Sequence, residues 1–203
     1  MDEQKEIKLI VVGETNVGKT SLIKQYIEHS FSDEKTATIG YDTIQKQIEV
    51  NGKTLRLNIW DTCGQEQYRT INNMFLKNSK IVILVYDITN IKSFNELKNY
   101  WYPYIKDNLG NSIVLGIAGN KSDLYEKEEV NEEDAREFSN SIDAIFNLTT
   151  AKNNEAINNL FKELVVKYIG TGNYEKDQNE RNSITLKAFH NKKTDKKGCC
   201  KKN

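Results

Sequence analysis

Eight consecutive residues, Gly13-Glu14-Thr15-Asn16-Val17-Gly18-Lys19-Thr20, carry the first chemistry legible in this chain. They fit the spacing G-x-x-x-x-G-K-[ST], whose glycines let the backbone curl until several N–H groups converge on phosphate oxygens. Lys19 offers a point charge to the terminal phosphates, and the Thr20 hydroxyl suits Mg2+. A helix starting at this loop turns its positive dipole end toward the same anion. Gly13, Asn16, Val17, Gly18, Lys19, Thr20 and the following Ser21 are the candidate phosphate-binding residues. This loop indicates a nucleotide and leaves the base open.

The base is addressed by Asn120-Lys121-Ser122-Asp123, which follows an apolar run at Ile113–Ala118. If that run is a strand, the four residues lie at its carboxyl end, where open α/β sheets bind ligands. A carboxylate there accepts from both the N1–H and the exocyclic amine of guanine. Adenine has no such donor pair and would leave a buried carboxylate unpaired. Thr150-Ala151-Lys152 follows the next short strand, where the Ala151 N–H can donate to the guanine oxygen. Asn-Lys-x-Asp alone is weak evidence, since charged surface loops produce it freely. Roughly 100 residues after a phosphate loop and 30 before Thr-Ala-Lys, it points to GTP and GDP.

Hydrolysis needs a metal, a water and a means to orient them. Asp61 ends the run Leu55–Trp60 and is placed to hold Mg2+ through water. In the following Thr62-Cys63-Gly64-Gln65-Glu66, the Gly64 N–H can approach a γ-phosphate and Gln65 can orient the attacking water. A polar loop from Phe31 to Gly40 offers Thr38 to Mg2+ and Phe31 to the base, although Phe31 taken alone reads more readily as a core aromatic.

The elements that must hold these residues alternate in period. Strands are expected at 8–12, 44–50, 55–60, 80–86, 113–118 and 145–148, with helices at 19–28, 93–108, 131–140 and 154–169. Asn51-Gly52 joins the second and third strands as a hairpin. The expected fold is therefore α/β, a P-loop NTPase. Its six-stranded, mostly parallel sheet carries helices on both faces and one antiparallel edge strand. After Gly170-Thr171-Gly172 the pattern dissolves, giving a domain over 1–170 and a flexible tail over 171–203.

The totals narrow the function classes. At 203 residues the chain suits one domain plus a tail. No stretch approaches the ~20 apolar residues of a membrane-spanning helix, and the start lacks a secretory layout, so a cytosolic body is expected. Net charge is zero, yet seven lysines and one acidic residue, Asp195, fall from Lys187 onward. Removing these from 29 and 29 leaves residues 1–186 with 22 basic and 28 acidic side chains. An acidic body with a basic tail argues against nucleic acid as a partner and for a tail that meets an anionic surface. Three cysteines, two of them adjacent, make neither a disulfide framework nor a zinc spacing.

Together these segments resemble the small GTPases of the Ras superfamily over residues 7–170. Lys19, Thr20, Thr38, Asp61, Gly64, Gln65, Asn120, Lys121, Asp123, Ala151 and Lys152 fall on that family's functional positions, and Phe31 stands where its base-stacking aromatic does. Ile39-Gly40, Ile59-Trp60-Asp61, Tyr68-Arg69-Thr70 and Tyr86-Asp87-Ile88-Thr89 are most similar to the Rab branch. The resemblance implies a slow GTP phosphohydrolase, on the order of 10⁻⁴–10⁻³ s⁻¹ unassisted, that acts as a monomeric switch in vesicle traffic. It implies switch segments at 32–43 and 62–77, an exchange factor, a GTPase-activating protein, effectors and a prenyl-binding escort (GDI). The alternatives are a Ras- or Rho-like signalling GTPase and a non-catalytic GTP-binding scaffold.

Some positions depart from the Rab pattern. Thr43 replaces an aromatic that, with the residues matching Trp60 and Phe75, forms an effector-reading triad. Phe75-Leu76-Lys77-Asn78-Ser79 replaces Tyr-Tyr-Arg-Gly-Ala, and Cys63 replaces alanine, read as a small residue tolerated for size or as a thiol that slows hydrolysis or senses oxidation. The ending Gly198-Cys199-Cys200-Lys201-Lys202-Asn203 resembles doubly geranylgeranylated Rab tails. Two lipids anchor stably where one does not, so the expected location is the cytosolic face of an internal membrane, cycling with the cytosol.

Overall fold

The computed structural model describes residues 6–28, 42–61 and 73–172. Six strands, β1 (Glu6–Gly13), β2 (Asp42–Val50), β3 (Lys53–Asp61), β4 (Ile81–Asp87), β5 (Val114–Asn120) and β6 (Ile145–Leu148), form one sheet in the order β2-β3-β1-β4-β5-β6. β4 and β5 are buried along their whole length, the burial that continuous apolar runs in a parallel sheet require. All pairings are parallel except β2 with β3, which places the antiparallel strand at one edge. Asn51 and Gly52 close that hairpin at φ 52° and 71°, the left-handed pair that a tight two-residue turn needs.

Helices cover both faces. α1 (Lys19–Glu28) and α6 (Asn154–Gly170) meet through Tyr26 and Phe161, whose rings stack at 3.8 Å. The opposite core joins Ile10, Val12, Val82, Leu84 and Ile117 of the sheet to Phe94, Leu97, Trp101 and Ile105 of a helical segment over 91–109. Each such fully buried side chain contributes about 1.5–3 kcal/mol.

That segment is not the uniform helix expected from its period. α3 (Ile91–Glu96) leads into a π-turn, Leu97–Trp101, before α4 (Tyr102–Leu109). The Tyr102 N–H donates to the Leu97 carbonyl, five residues back. The cause is Pro103, the only proline of the chain: it has no N–H, and its ring would strike the carbonyl four residues earlier. Asn90 caps α3, its side chain accepting from the Lys92 and Ser93 N–H groups.

Two further segments escaped the periodic reading. A single turn, α2 (Asn73–Leu76), precedes Asn78 at φ 65°, so asparagine supplies the left-handed turn where the Rab pattern has glycine. A 3-10 stretch, Ser122–Lys127, follows β5. α5 (Glu132–Ser141) is capped by Asn131, which accepts from the Glu133 N–H at 2.7 Å, and three acidic residues fill its first turn. No described helix is long and apolar enough to cross a membrane. The chain divides into two compact units, Met1–Tyr168 and Ile169–Asn203.

Candidate functional site

Because β1, β3, β4, β5 and β6 run parallel, their carboxyl ends open on one edge of the sheet. Gly13, Asp61, Asp87 and Asn120 are the last residues of their strands. Val11 lies beside Asp61, Gly13 beside Val85, Asp87 beside Asn120 and Gly119 beside Leu148. The two predicted motifs are therefore neighbours on one edge, as the topological rule for open sheets demands.

The phosphate loop is a bare-backbone cradle. Gly13 has φ 150°, and a Cβ there would lie 2.2 Å from the Val85 carbonyl oxygen. Gly18 has φ 94°, and its Cβ would lie 2.4 Å from Asn120 Nδ2. Asn16 is also left-handed, at φ 65°. The buried Lys19 turns back into the loop, Nζ donating to the carbonyls of Gly13 at 3.0 Å and Glu14 at 2.9 Å. A buried ammonium inside a ring of backbone fits a polyphosphate well. Val17 is buried, and Thr20 and Ser21, the second and third residues of α1, are half-buried.

The predicted base-reading end is held by side chains. Asn120 is buried; its Nδ2 donates to the Val17 carbonyl at 2.8 Å, and its Oδ1 accepts from Thr149 Oγ1 at 3.2 Å. One amide thereby ties the phosphate loop, β5 and the segment after β6 together. Lys121 sits in the left-handed region at φ 65° and pairs through Nζ with the buried Asp87. The other Asp87 oxygen accepts from the Thr89 N–H at 2.9 Å and the Thr89 hydroxyl at 2.8 Å.

Asp123 is gripped on both oxygens. Oδ1 accepts from Thr150 Oγ1 at 2.7 Å, and Oδ2 pairs with Lys152 Nζ at 2.6 Å. Burial pushes its carboxyl up, but the hydrogen bonds from Lys152 and Thr150, with the Lys152 charge, outweigh it and hold the group below its usual value. It is therefore ionised at neutral pH, the form that accepts from two N–H groups. Ala151 is buried between them, and the Lys152 N–H turns inward onto Thr150 Oγ1 at 3.2 Å.

Asp61 is buried beside β1. Its carboxylate and the Thr20 hydroxyl are hard oxygen donors of the kind that Mg2+ takes. Phe31, Thr38, Cys63, Gly64, Gln65, Cys199 and Cys200 lie outside the described residues. Thr43, exposed, stands opposite Trp60 across the hairpin. The Trp60 ring meets Phe75 edge-on at 5.8 Å and carries Lys8 Nζ 4.2 Å from its centroid.

Sequence reasoning missed the supports Asp87 and Thr149. Asp87 left one signal, an acidic residue closing a fully apolar strand. Thr149 left none beyond adjacency to Thr150.

A sequence model described as Ras family matches residues 8–169. The chain is 41% identical to Ras-related protein Rab-22A of Mus musculus over 160 residues, 79% of this chain and 82% of the relative. It is 38% identical to Ras-related protein Rab-21 of Bos taurus over 164 residues, 81% of this chain and 73% of the relative. Rab-21 of Geodia cydonium is 38% identical over 157 residues, 77% of this chain and 68% of the relative. With the loop geometry above, these place the protein: it belongs to the Ras family, as a Rab-type small GTPase.

Proposed function

We propose that this GTPase is a lipid-tethered switch in vesicle traffic, loaded with guanine nucleotide and Mg2+ through the residues assembled above. The observation that carries the site assignment is Asp123, an ionised carboxylate fixed on both oxygens at the carboxyl end of β5. Asp123 reads guanine, with the Ala151 N–H donating to its oxygen. Lys121 and Asn120 act mainly by holding the walls, since each is bonded within the protein. Gly13, Asn16, Val17 and Gly18 present the loop backbone to the phosphates, and Lys19 offsets their charge. Mg2+, when bound, supplies Lewis-acid polarisation of the phosphate oxygens, and Thr20, Asp61 and Thr38 would hold it.

Gln65 orients the attacking water and Gly64 contacts the γ-phosphate; both roles rest on the family motif. Slow unassisted hydrolysis is the consequence, because only positioning and electrostatics are available. Exchange factors, activating proteins and effectors act on this switch; the segments at 32–43 and 62–77 are the surfaces they would read, with Phe75 in the second and Trp60 just ahead of it in sequence. Thr43 leaves that aromatic surface one ring short, so its effectors differ from those of relatives that keep the ring. The basic tail with Cys199 and Cys200, over 171–203, is the prenylated anchor that an escort protein extracts, which leaves the monomer cycling between cytosol and an internal membrane.

Competition of GTP and ATP for the loaded protein, followed by single-turnover hydrolysis, tests the site. ATP is expected to bind about 10⁴-fold more weakly than GTP, and hydrolysis to run at about 10⁻⁴–10⁻³ s⁻¹. Equal competition by ATP would remove the base assignment. Imaging the tagged chain beside Cys199→Ser/Cys200→Ser tests the anchor: a discrete internal membrane for the first and diffuse signal for the second are expected, and diffuse signal for both sinks it.

A further inference from the structure

We infer that Trp101 and Glu14 form a positioning pair for the phosphate loop, aimed by the π-turn that precedes Pro103. This rests on the guanine-nucleotide reading above. Glu14 is the second residue of the loop, where the motif's spacing constrains nothing. A carboxylate beside a phosphate site is electrostatically unfavourable, so its presence asks for a compensating contact. It has one: Trp101 Nε1 donates to Glu14 Oε1 at 3.2 Å, across 87 residues of sequence.

The geometry is specific on both sides. Trp101 is fully buried, packed edge-on against Tyr100 at 5.0 Å. Its indole N–H is a donor only and must find an acceptor when buried. It is the last residue of the π-turn Leu97–Trp101. Each residue of this wider turn advances by less than the ~100° of a regular α-helix, so by its fifth residue a regular helix would aim residue 101 elsewhere. Glu14 is held a second time, since its backbone carbonyl accepts from Lys19 Nζ at 2.9 Å. Trp101 therefore fixes the residue whose carbonyl locates the phosphate-binding ammonium. A core helix on one face of the sheet is coupled in this way to the nucleotide site through one hydrogen bond.

The test measures GDP release from purified full-length protein, together with thermal unfolding, for Glu14→Ala, Glu14→Gln, Trp101→Phe and the double variant Glu14→Ala/Trp101→Phe. Glu14→Ala and Trp101→Phe are each expected to speed release roughly tenfold, the worth of a hydrogen bond to a charged acceptor. The double variant should release no faster than either single one, because both remove the same bond. Glu14→Gln should recover most of the loss, since its amide oxygen still accepts. Unchanged release in Glu14→Ala, multiplied losses in the double variant, or Glu14→Gln as fast as Glu14→Ala would each overturn the inference. If Trp101→Phe does not fold, the comparison of the two Glu14 variants decides alone. A wild-type chain that holds no GDP overturns the site reading and this pair together, whereas normal wild-type binding with unaltered Glu14→Ala release overturns only the pair.

Discussion

The phosphate loop is made mostly of backbone, and the base-reading end mostly of side chains. In the first, Gly13, Asn16 and Gly18 adopt positive φ and Lys19 is satisfied by two loop carbonyls. In the second, Asp123, Thr150 and Lys152 hold one another, as do Asp87, Thr89 and Lys121. Backbone geometry is specified by a short contiguous run of sequence, because a glycine's freedom acts where it stands. Side-chain networks are specified by whatever the sheet brings together. The first region should thus fail abruptly under substitution, and the second by degrees.

Gly13→Ala is the sharpest way to break that contrast. The new Cβ would meet a backbone oxygen at 2.2 Å, and a main-chain carbonyl inside a parallel sheet cannot swing aside. A loss of at least about 3 kcal/mol of stability is expected, with loss of retained GDP. Thermal unfolding and nucleotide content of the purified variant measure both. Normal values would mean that the loop is not the rigid backbone cradle described.

Asp87→Asn probes the other region at intermediate cost. Asparagine keeps the shape and still accepts from the Thr89 N–H, but the ion pair to Lys121 is lost. Lys121 is about one-third exposed, with its side chain at 32%, so solvent screening limits the loss to about 1–2 kcal/mol. GDP affinity measured by titration should fall roughly tenfold. A fall as complete as that expected of Gly13→Ala would erase the distinction between the two regions.

The same contrast explains what could be read from the sequence. The strand–loop–helix around Gly13–Thr20, the hairpin at Asn51-Gly52 and the buried runs of β4 and β5 are local patterns, and the structure bears them out. The expected edge strand is β2, set by its antiparallel register with β3. The bend at 97–101 was missed because apolar period outweighed one proline, although Pro103 forbids the regular hydrogen bond. Thr149 was out of reach for another reason. Its partner Asn120 is 29 residues away and is brought to it by the parallel pairing of β5 with β6. No spacing rule encodes a contact between the ends of two strands whose order is not yet known. The Trp101 to Glu14 contact is the extreme case, since it needs both the sheet order and the irregular turn.

The mildest change, Thr150→Val, separates the parts of the base-reading network. Asp123 is held below its usual carboxyl value; burial opposes this, and the hydrogen bonds from Lys152 and Thr150 prevail. A carboxylate lowered in the folded state contributes fully above its unfolded value near pH 4. The contribution is lost as pH falls through the lower folded value. Wild-type GDP affinity should therefore hold down to pH 4 before an acid limb begins. Thr150→Val removes one donor and leaves burial in place, so the acid limb should move upward in pH. At pH 7 Asp123 stays ionised through Lys152, and affinity should change by less than about threefold. Titrating GDP binding from pH 7 to below pH 4 shows both effects in one series. An unmoved acid limb would mean that the Thr150 bond does not help set the charge of Asp123, and that this side-chain region rests on fewer contacts than its network shows.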